Sequence, residues 1–251
     1  MDNRDLVKAN FGRRAGNYRA STVHNNSGEL DRMIDLLQLT GNEKGLDVAT
    51  GAGHTAHQMA RYLQSVVAID LTQEMLAEAK AGAEEKGLGN VEFRLGDVHQ
   101  LDLPDQAFDV VTSRFAPHHF ARIDTALAEM CRVLKPGGKL YILDCATTDH
   151  PEAEQKMNRI EWIRDNSHIC SYSPRRWQEM LEKLPLELEH FELHRLRYEL
   201  PQWFDRMETS RADREEIFQM LAGLSTECRK EYDFGEDFMT TYRVELVARR
   251  K

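Results

Sequence analysis

The sequence predicts an α/β fold, a doubly wound, mostly parallel sheet with a helical cap. Three observations carry that prediction. Short apolar strands alternate with amphipathic helical spans from about residue 45 to 144, a glycine turn joins the first strand to the first crossover helix, and the pattern changes after residue 150. Strands separated by helices form βαβ units, which place helices on both faces of a parallel sheet.

The elements follow in order. Leu30, Met33, Ile34 and Leu37 fall at i, i+3, i+4 and i+7, which predicts a helix over 28–39. Then come a strand at 45–49, helix 54–64, strand 65–69, helix 72–86, strand 91–95, strand 108–113, helix 121–134 and strand 138–144. Ile123, Leu127, Met130, Cys131 and Leu134 make one stripe of the last helix, and Pro136-Gly137-Gly138 is its expected stop. Beyond 150 the expectation is helical stretches at 152–166 and 174–184, an alternating strand 186–198, a helical region 201–223 and a final strand 238–248. The organisation read from this is one integrated domain: a helical lead-in and lid (1–40), a ligand-binding core (41–150), and cap helices plus final strands (151–251).

Composition narrows the function classes. The 251 residues are 41% hydrophobic and 30% charged, as in an ordinary globular chain. The longest apolar runs are Val66–Ile69 and Leu140–Leu143, so no membrane span is expected, and the N-terminus lacks the apolar core of a secretory signal. These features predict a cytoplasmic protein. Net charge is −9, spread as −5 over 1–150 and −4 over 151–251, with no basic run, which argues against a nucleic-acid partner. Cys131, Cys145, Cys170 and Cys228 form no C-x-x-C pair, so neither zinc nor a redox dithiol is expected.

The stretch Gly45-Leu-Asp47-Val-Ala49-Thr-Gly51-Ala-Gly53-His-Thr runs from a strand through a glycine turn into a helix. Such a turn lets backbone approach a ligand where a Cβ would collide, and the helix start offers free N–H groups. The second strand ends in Asp70, whose carboxylate can accept two hydrogen bonds from a ribose diol. Gly51 to Ala56 also reads as G-x-G-x-x-A, the dinucleotide fingerprint, so an NAD-dependent oxidoreductase is one reading. Asp47 favours S-adenosylmethionine instead, because a carboxylate there would repel a pyrophosphate and attract an amino-acid ammonium or sulfonium. Gly96-Asp97-Val98 after the third strand suits an adenine, with Asp97 taking the amino group and Val98 covering the ring.

Five ordered motifs carry a family resemblance: LDVATGAGHTA, AIDLTQEML, FRLGDVHQLDLPD, FDVVTSRFAPHHF and RVLKPGGKLYILD. Over about residues 40–145 the chain resembles class I S-adenosylmethionine-dependent methyltransferases of the ubiquinone/menaquinone-biosynthesis-like (type 11) group. The resemblance implies a seven-stranded sheet whose last strand is antiparallel. It implies that Asp47, Ala49, Gly51 and Gly53 line the methionine and ribose, Asp70 and Leu71 hold ribose and adenine, and Asp97 and Val98 the adenine. Arg114 would face the methionyl part, and Phe11, Arg14 and Tyr18 resemble a segment that closes over the cofactor. The chain departs from the family at Ala49, where the turn's first glycine is expected; a methyl group fits there if its φ is negative.

For the chemistry, His118 and His119 follow the fourth strand, where ligands bind beyond the carboxyl ends of strands, and serve either as a base or as packing at a helix start. His168 is a third candidate: Asp165 and His168 at i, i+3 on a helix end would give a carboxylate-oriented imidazole. Trp162, Trp203, Phe204 and Met207 are candidates for an apolar acceptor pocket or for the cap's own core. The sequence is thus read as a methyltransferase acting on a small organic acceptor through an O, N, S or C nucleophile. The alternatives are an NAD-dependent oxidoreductase and an inactive nucleotide-sensing or interaction protein.

Overall fold

Strands form where β-branched and aliphatic residues run together, and the sheet they build has the order β3-β2-β1-β4-β5-β7-β6. In the computed structural model, which describes residues 2–21 and 24–251, the elements are α1 (Asn3–Arg13), α2 (Ala15–Arg19), α3 (Ser27–Leu37), β1 (Lys44–Val48), α4 (His54–Ala60), β2 (Ser65–Asp70), α5 (Gln73–Glu85), β3 (Val91–Leu95) and β4 (Phe108–Arg114). A single 3-10 turn at Pro117–His119 leads to α6 (Ile123–Val133) and β5 (Leu134–Ala146). Then follow α7 (Pro151–Arg164), α8 (Pro174–Leu181), β6 (Leu186–Glu199), α9 (Leu200–Arg206), α10 (Arg211–Ala222), α11 (Thr226–Glu231) and β7 (Phe238–Arg250).

β1 pairs in parallel with both β2 and β4, β2 with β3, and β4 with β5. β7 lies antiparallel between β5 and β6, so it alone runs against the other six strands. The strand order reverses between β1 and β4, which opens a crevice at their carboxyl ends. Alternation along β5 divides the core: Leu140 and Ile142 face the cluster with α6, α7 and α8, while Tyr141 and Leu143 face the cluster with α3 and α4. The residues predicted for the α3 stripe, Leu30, Met33, Ile34 and Leu37, are the ones buried. Asn26 caps that helix by accepting from the Glu29 N–H.

Several boundaries differ from expectation. The helix expected at 54–64 ends at Ala60, and two successive turns bring the chain straight into β2. α6 stops at Val133, before Pro136-Gly137-Gly138, because Leu134 already pairs with Phe108 of β4. The region expected to be helical over 201–223 is two helices. Glu208 adopts a left-handed φ of 55°, and Ser210 restarts the chain as the cap of α10, accepting from the Asp213 N–H. Cap residues such as Trp177 and Trp203 belong to the same apolar cluster as Leu46 and Leu127 of the sheet-forming part. No helix among the described residues is long and apolar enough to cross a membrane.

Candidate active site

β1 ends at Val48 and the chain turns into α4 through Ala49, Gly51 and Gly53, with φ of 56°, 53° and 84°. A Cβ on Gly51 would meet open space, so its left-handed backbone lies bare against the crevice. Gly53 is needed for another reason: a Cβ there would lie 2.8 Å from Ala79 Cβ and from His57 Nε2, so Gly53 lets α4 pack on α5 and does not line the cavity. The negative φ expected at Ala49 is not found. A left-handed alanine is strained by about 1–2 kcal/mol, and it sits on the cavity wall. Phe115, just beyond β4, is likewise left-handed, with φ of 54°.

The crevice is a cavity of about 1040 Å³ including its mouth, walled by Ala49, Gly51, Asp70, Leu71, Asp97, Val98 and Arg114. Asp70 Oδ2 accepts from the Gly51 N–H at 2.8 Å and Oδ1 from the Thr72 N–H at 2.9 Å. The carboxylate is thereby fixed at the end of β2, with further lone pairs to offer a ligand. Burial pushes its pKa up, and the backbone bonds work against that. Asp97 Oδ1 accepts from the His99 N–H at 2.9 Å and from His99 Nδ1 at 2.6 Å, while Arg4 reaches Oδ2 at 3.2 Å. Burial opposes ionisation of Asp97, but the His99 bonds and Arg4 outweigh it and hold its pKa below the ordinary value. His99, which also lines the cavity, went unnoticed in the sequence; its place two residues after Asp97 is the only signal.

Asp47 does not reach the wall. It is buried one layer beneath, accepting from the Thr50 hydroxyl at 2.6 Å and the Thr112 hydroxyl at 2.8 Å. Burial raises its pKa to about 6 in spite of these two bonds. Arg114 does line the cavity, yet its guanidinium is already engaged, by Thr55 Oγ1 at 3.2 Å, Glu29 Oε2 at 3.0 Å and the His24 carbonyl. The N-terminal helices cover the opening: Asn3, Arg4, Val7, Phe11 and Tyr18 line it. α1 has no buried residue and is held by polar contacts, among them Asn3 Nδ2 to the His119 carbonyl at 2.8 Å and Asn10 Nδ2 to Asp165 Oδ1 at 3.1 Å.

A second cavity of about 530 Å³ adjoins the first, and Phe11, Tyr18, His24, Phe115 and His119 line both. His118 and His119 border it. The His118 and His168 rings also lie close, with centroids 5.5 Å apart. His118 Nδ1 lies 2.6 Å from Asp144 Oδ1, and the His118 N–H donates to Asp144 Oδ2 at 2.7 Å. The carboxylate fixes the proton on Nδ1 and leaves Nε2 as the basic nitrogen. Burial disfavours the imidazolium, but Asp144, helped by Glu161 and Asp165, outweighs it and the His118 pKa is raised. Asp144 ends the quoted motif RVLKPGGKLYILD, and its position at the carboxyl end of β5 was the signal that could have found it.

The expected Asp165–His168 pair does not form. Residues 165–168 are a turn beyond α7, and Asp165 Oδ1 accepts from the Ser167 N–H and hydroxyl, while Oδ2 lies 3.9 Å from His119 Nε2. His168 Nε2 instead meets Asn158 Oδ1 at 2.8 Å, and burial holds its pKa well below the ordinary value. His119 Nδ1 donates to the Ser167 carbonyl at 3.0 Å, and burial keeps this imidazole neutral. Trp203 lines the second cavity beneath Arg164. Phe204 and Met207 are buried in the cap, and Met207 meets Tyr18 through its sulfur. Trp162 is 44% exposed under Arg159, so it lines neither cavity.

His118, Asp144 and Cys145 bring potential metal-ligand atoms within 4.8 Å of one another. Both Asp144 oxygens are taken by His118, however, and burial pushes the Cys145 thiol far up, so the donor chemistry suits an oriented imidazole better than a metal. The large cavity suits an adenosine: an open backbone at Gly51, a fixed carboxylate at Asp70, and Leu71 and Val98 for a flat ring.

The profile of the methyltransferase domain family matches residues 39–189. The uncharacterized methyltransferase YcgJ of Bacillus subtilis is 34% identical over 220 residues, covering 87% of each chain. Its crystal structure superposes with a TM-score of 0.86 at 28% identity, over 90% of this chain and 99% of that one. A putative methyltransferase of Bacillus halodurans gives a TM-score of 0.85 at 31% identity, over 89% and 99% of the two chains. The ubiquinone/menaquinone biosynthesis C-methyltransferase UbiE of Dinoroseobacter shibae is 36% identical over 124 residues, 48% of this chain and 50% of that one.

Proposed function

The chain belongs to the methyltransferase domain family, and from that premise we propose that it takes a methyl group from S-adenosylmethionine in the large cavity and passes it to a small organic acceptor in the adjoining one. The observation that carries this reading is the shared wall. Phe11, Tyr18, His24, Phe115 and His119 line both cavities, so a donor in one and an acceptor in the other meet there.

S-adenosylmethionine, when bound, supplies an electrophilic methyl group on a sulfonium. The chain's own residues do the rest. Gly51 admits the ligand against bare backbone, Asp70 accepts from the ribose hydroxyls, and Leu71, Asp97 and Val98 surround the adenine. Asn3, Arg4 and Val7 on α1 cover the opening and exclude water. For a hydroxyl, thiol or carbon-acid acceptor, His118 Nε2 takes the proton, and Asp144 orients the ring and stabilises the imidazolium. His119 and His168, both held neutral by burial, pack around that base.

Titration calorimetry with S-adenosylhomocysteine, run beside NADH, tests the donor site. Saturable binding of S-adenosylhomocysteine with none of NADH is the expected result; the reverse would make the chain a nicotinamide enzyme, and no binding of either would make it a non-catalytic relative.

A further inference from the structure

We propose that the methyl acceptor carries an anionic group, a carboxylate or a phosphate, that docks on Arg206 in the second cavity; this rests on the donor-and-acceptor reading above. The second cavity is lined by several charged side chains. Three guanidiniums, Arg164, Arg206 and Arg243, border it together with two carboxylates, Glu161 and Asp165.

All but one of these charges have partners. Arg164 is paired with Glu161 at 3.1 Å and lies over the Trp203 ring. Arg243 is paired with Glu29 and donates to the Tyr198 hydroxyl at 3.0 Å. Asp165 accepts from Ser167 and Asn10. Arg206 has no hydrogen bond or ion pair among the described residues, although it stands on the cavity wall in the last turn of α9. Glu29 is shared between Arg114 and Arg243, so it brings no spare negative charge to the region.

A half-buried guanidinium beside two others is unfavourable unless an anion joins it. Burial and the neighbouring Arg164 and Arg243 all press the Arg206 pKa down, which is the same effect seen from the proton's side. Its planar fork matches a carboxylate or phosphate with two parallel bonds. Tyr198 adds a donor: its oxygen accepts from Arg243, burial raises its pKa to about 12, and its own proton is free to give. Phe11, Phe115 and Trp203 supply an apolar side to the same cavity, so the acceptor that fits has an apolar or aromatic body and one acidic end. α9 holds Arg206 in place, because Trp203 and Phe204 of that helix are buried in the core.

The test uses matched probes on the full chain saturated with S-adenosylhomocysteine: 4-hydroxybenzoate against 4-hydroxybenzamide, and phenyl phosphate against its neutral dimethyl ester. Affinities come from ligand-observed NMR. We expect the acid of at least one pair to bind about tenfold or more tighter than its neutral partner, and the pair with the larger ratio identifies the group. In Arg206→Gln the ratio should fall to within about twofold, and Arg206→Lys should keep part of it, since a point charge replaces the fork. Equal affinities within both pairs would overturn the proposal, as would a ratio unchanged in Arg206→Gln. If a thermal melt shows that the Gln variant does not fold, the Lys variant decides, and an undiminished ratio there counts against the proposal. The wild-type S-adenosylhomocysteine isotherm separates the two levels: its absence overturns the donor site, whereas its presence without any acid preference overturns only the anionic acceptor.

Discussion

His118 meets both oxygens of Asp144, through its ring Nδ1 at 2.6 Å and its own backbone N–H at 2.7 Å. One carboxylate at the end of β5 therefore sets the position, the tautomer and the basicity of a histidine that follows β4. With a hydroxyl, thiol or carbon-acid acceptor, His118→Gln should lower turnover about 10²–10⁴-fold. The raised His118 pKa places the acidic limb of the rate profile above the ordinary histidine value. Removing the charge with Asp144→Asn leaves burial opposed only by the smaller pull of Glu161 and Asp165, so the limb should move to lower pH while the maximal rate falls. A pH–rate series on the two variants checks this; an unmoved limb would exclude the pair from proton transfer.

Asp70 holds the Gly51 and Thr72 N–H groups and presents its remaining lone pairs to the cavity. Asp70→Ala should weaken S-adenosylhomocysteine binding by ~1.5–3 kcal/mol, roughly ten- to hundredfold, and Asp70→Asn by less, since one acceptor oxygen survives. Calorimetry on folded variants reads both, and full affinity in the Ala variant would remove Asp70 from the ribose site.

Ala49 is left-handed, with φ of 56°, where a glycine would be unstrained. Ala49→Gly is expected to stabilise the chain by about 1 kcal/mol, raising Tm by roughly 2–4 °C, because the relieved strain exceeds the added freedom of the unfolded chain. A melt that stays put or falls would show that the alanine methyl contributes packing worth as much as the strain.

Asp47 is buried with its pKa raised to about 6, above the value of 3.8 it has when exposed. A carboxyl whose folded pKa is raised contributes its stability below the unfolded value and loses it as pH climbs through the folded one. Above about pH 6 the folded chain must carry a buried carboxylate, a penalty of roughly 2–3 kcal/mol. Asp47→Asn escapes that penalty while still bonding the two threonines. About 1.4 kcal/mol of that penalty develops between pH 5 and pH 8, where the unfolded carboxyl is already ionised, so the Tm advantage over the wild type should grow by roughly 3–6 °C across that range. A difference independent of pH would mean that Asp47 is ionised at little cost in its buried position.

The sequence by itself determined what neighbouring residues determine. The α3 stripe, the strand alternation, the glycine turn at Gly51 and Gly53, and the carboxylates Asp70 and Asp97 at strand ends were all legible, because helical and strand periods and the needs of a strand-to-helix turn act over a few residues. Tertiary structure decided every relationship between residues far apart in the chain. Asp165 looked like the partner of His168 three residues on, yet the turn after α7 aims its carboxylate at Ser167 and His119 and gives His168 to Asn158. Asp47 looked like a ligand to the cofactor, but Thr50 and Thr112 draw it under the crevice floor. Asp144 reaches His118, and Arg206, Arg243 and Tyr198 reach one cavity, only because β4, β5, β7 and β6 lie near one another in the sheet and α9 leads off the end of β6. Such pairings depend on sheet register and on which partner burial leaves within reach, and no local pattern of side chains encodes either.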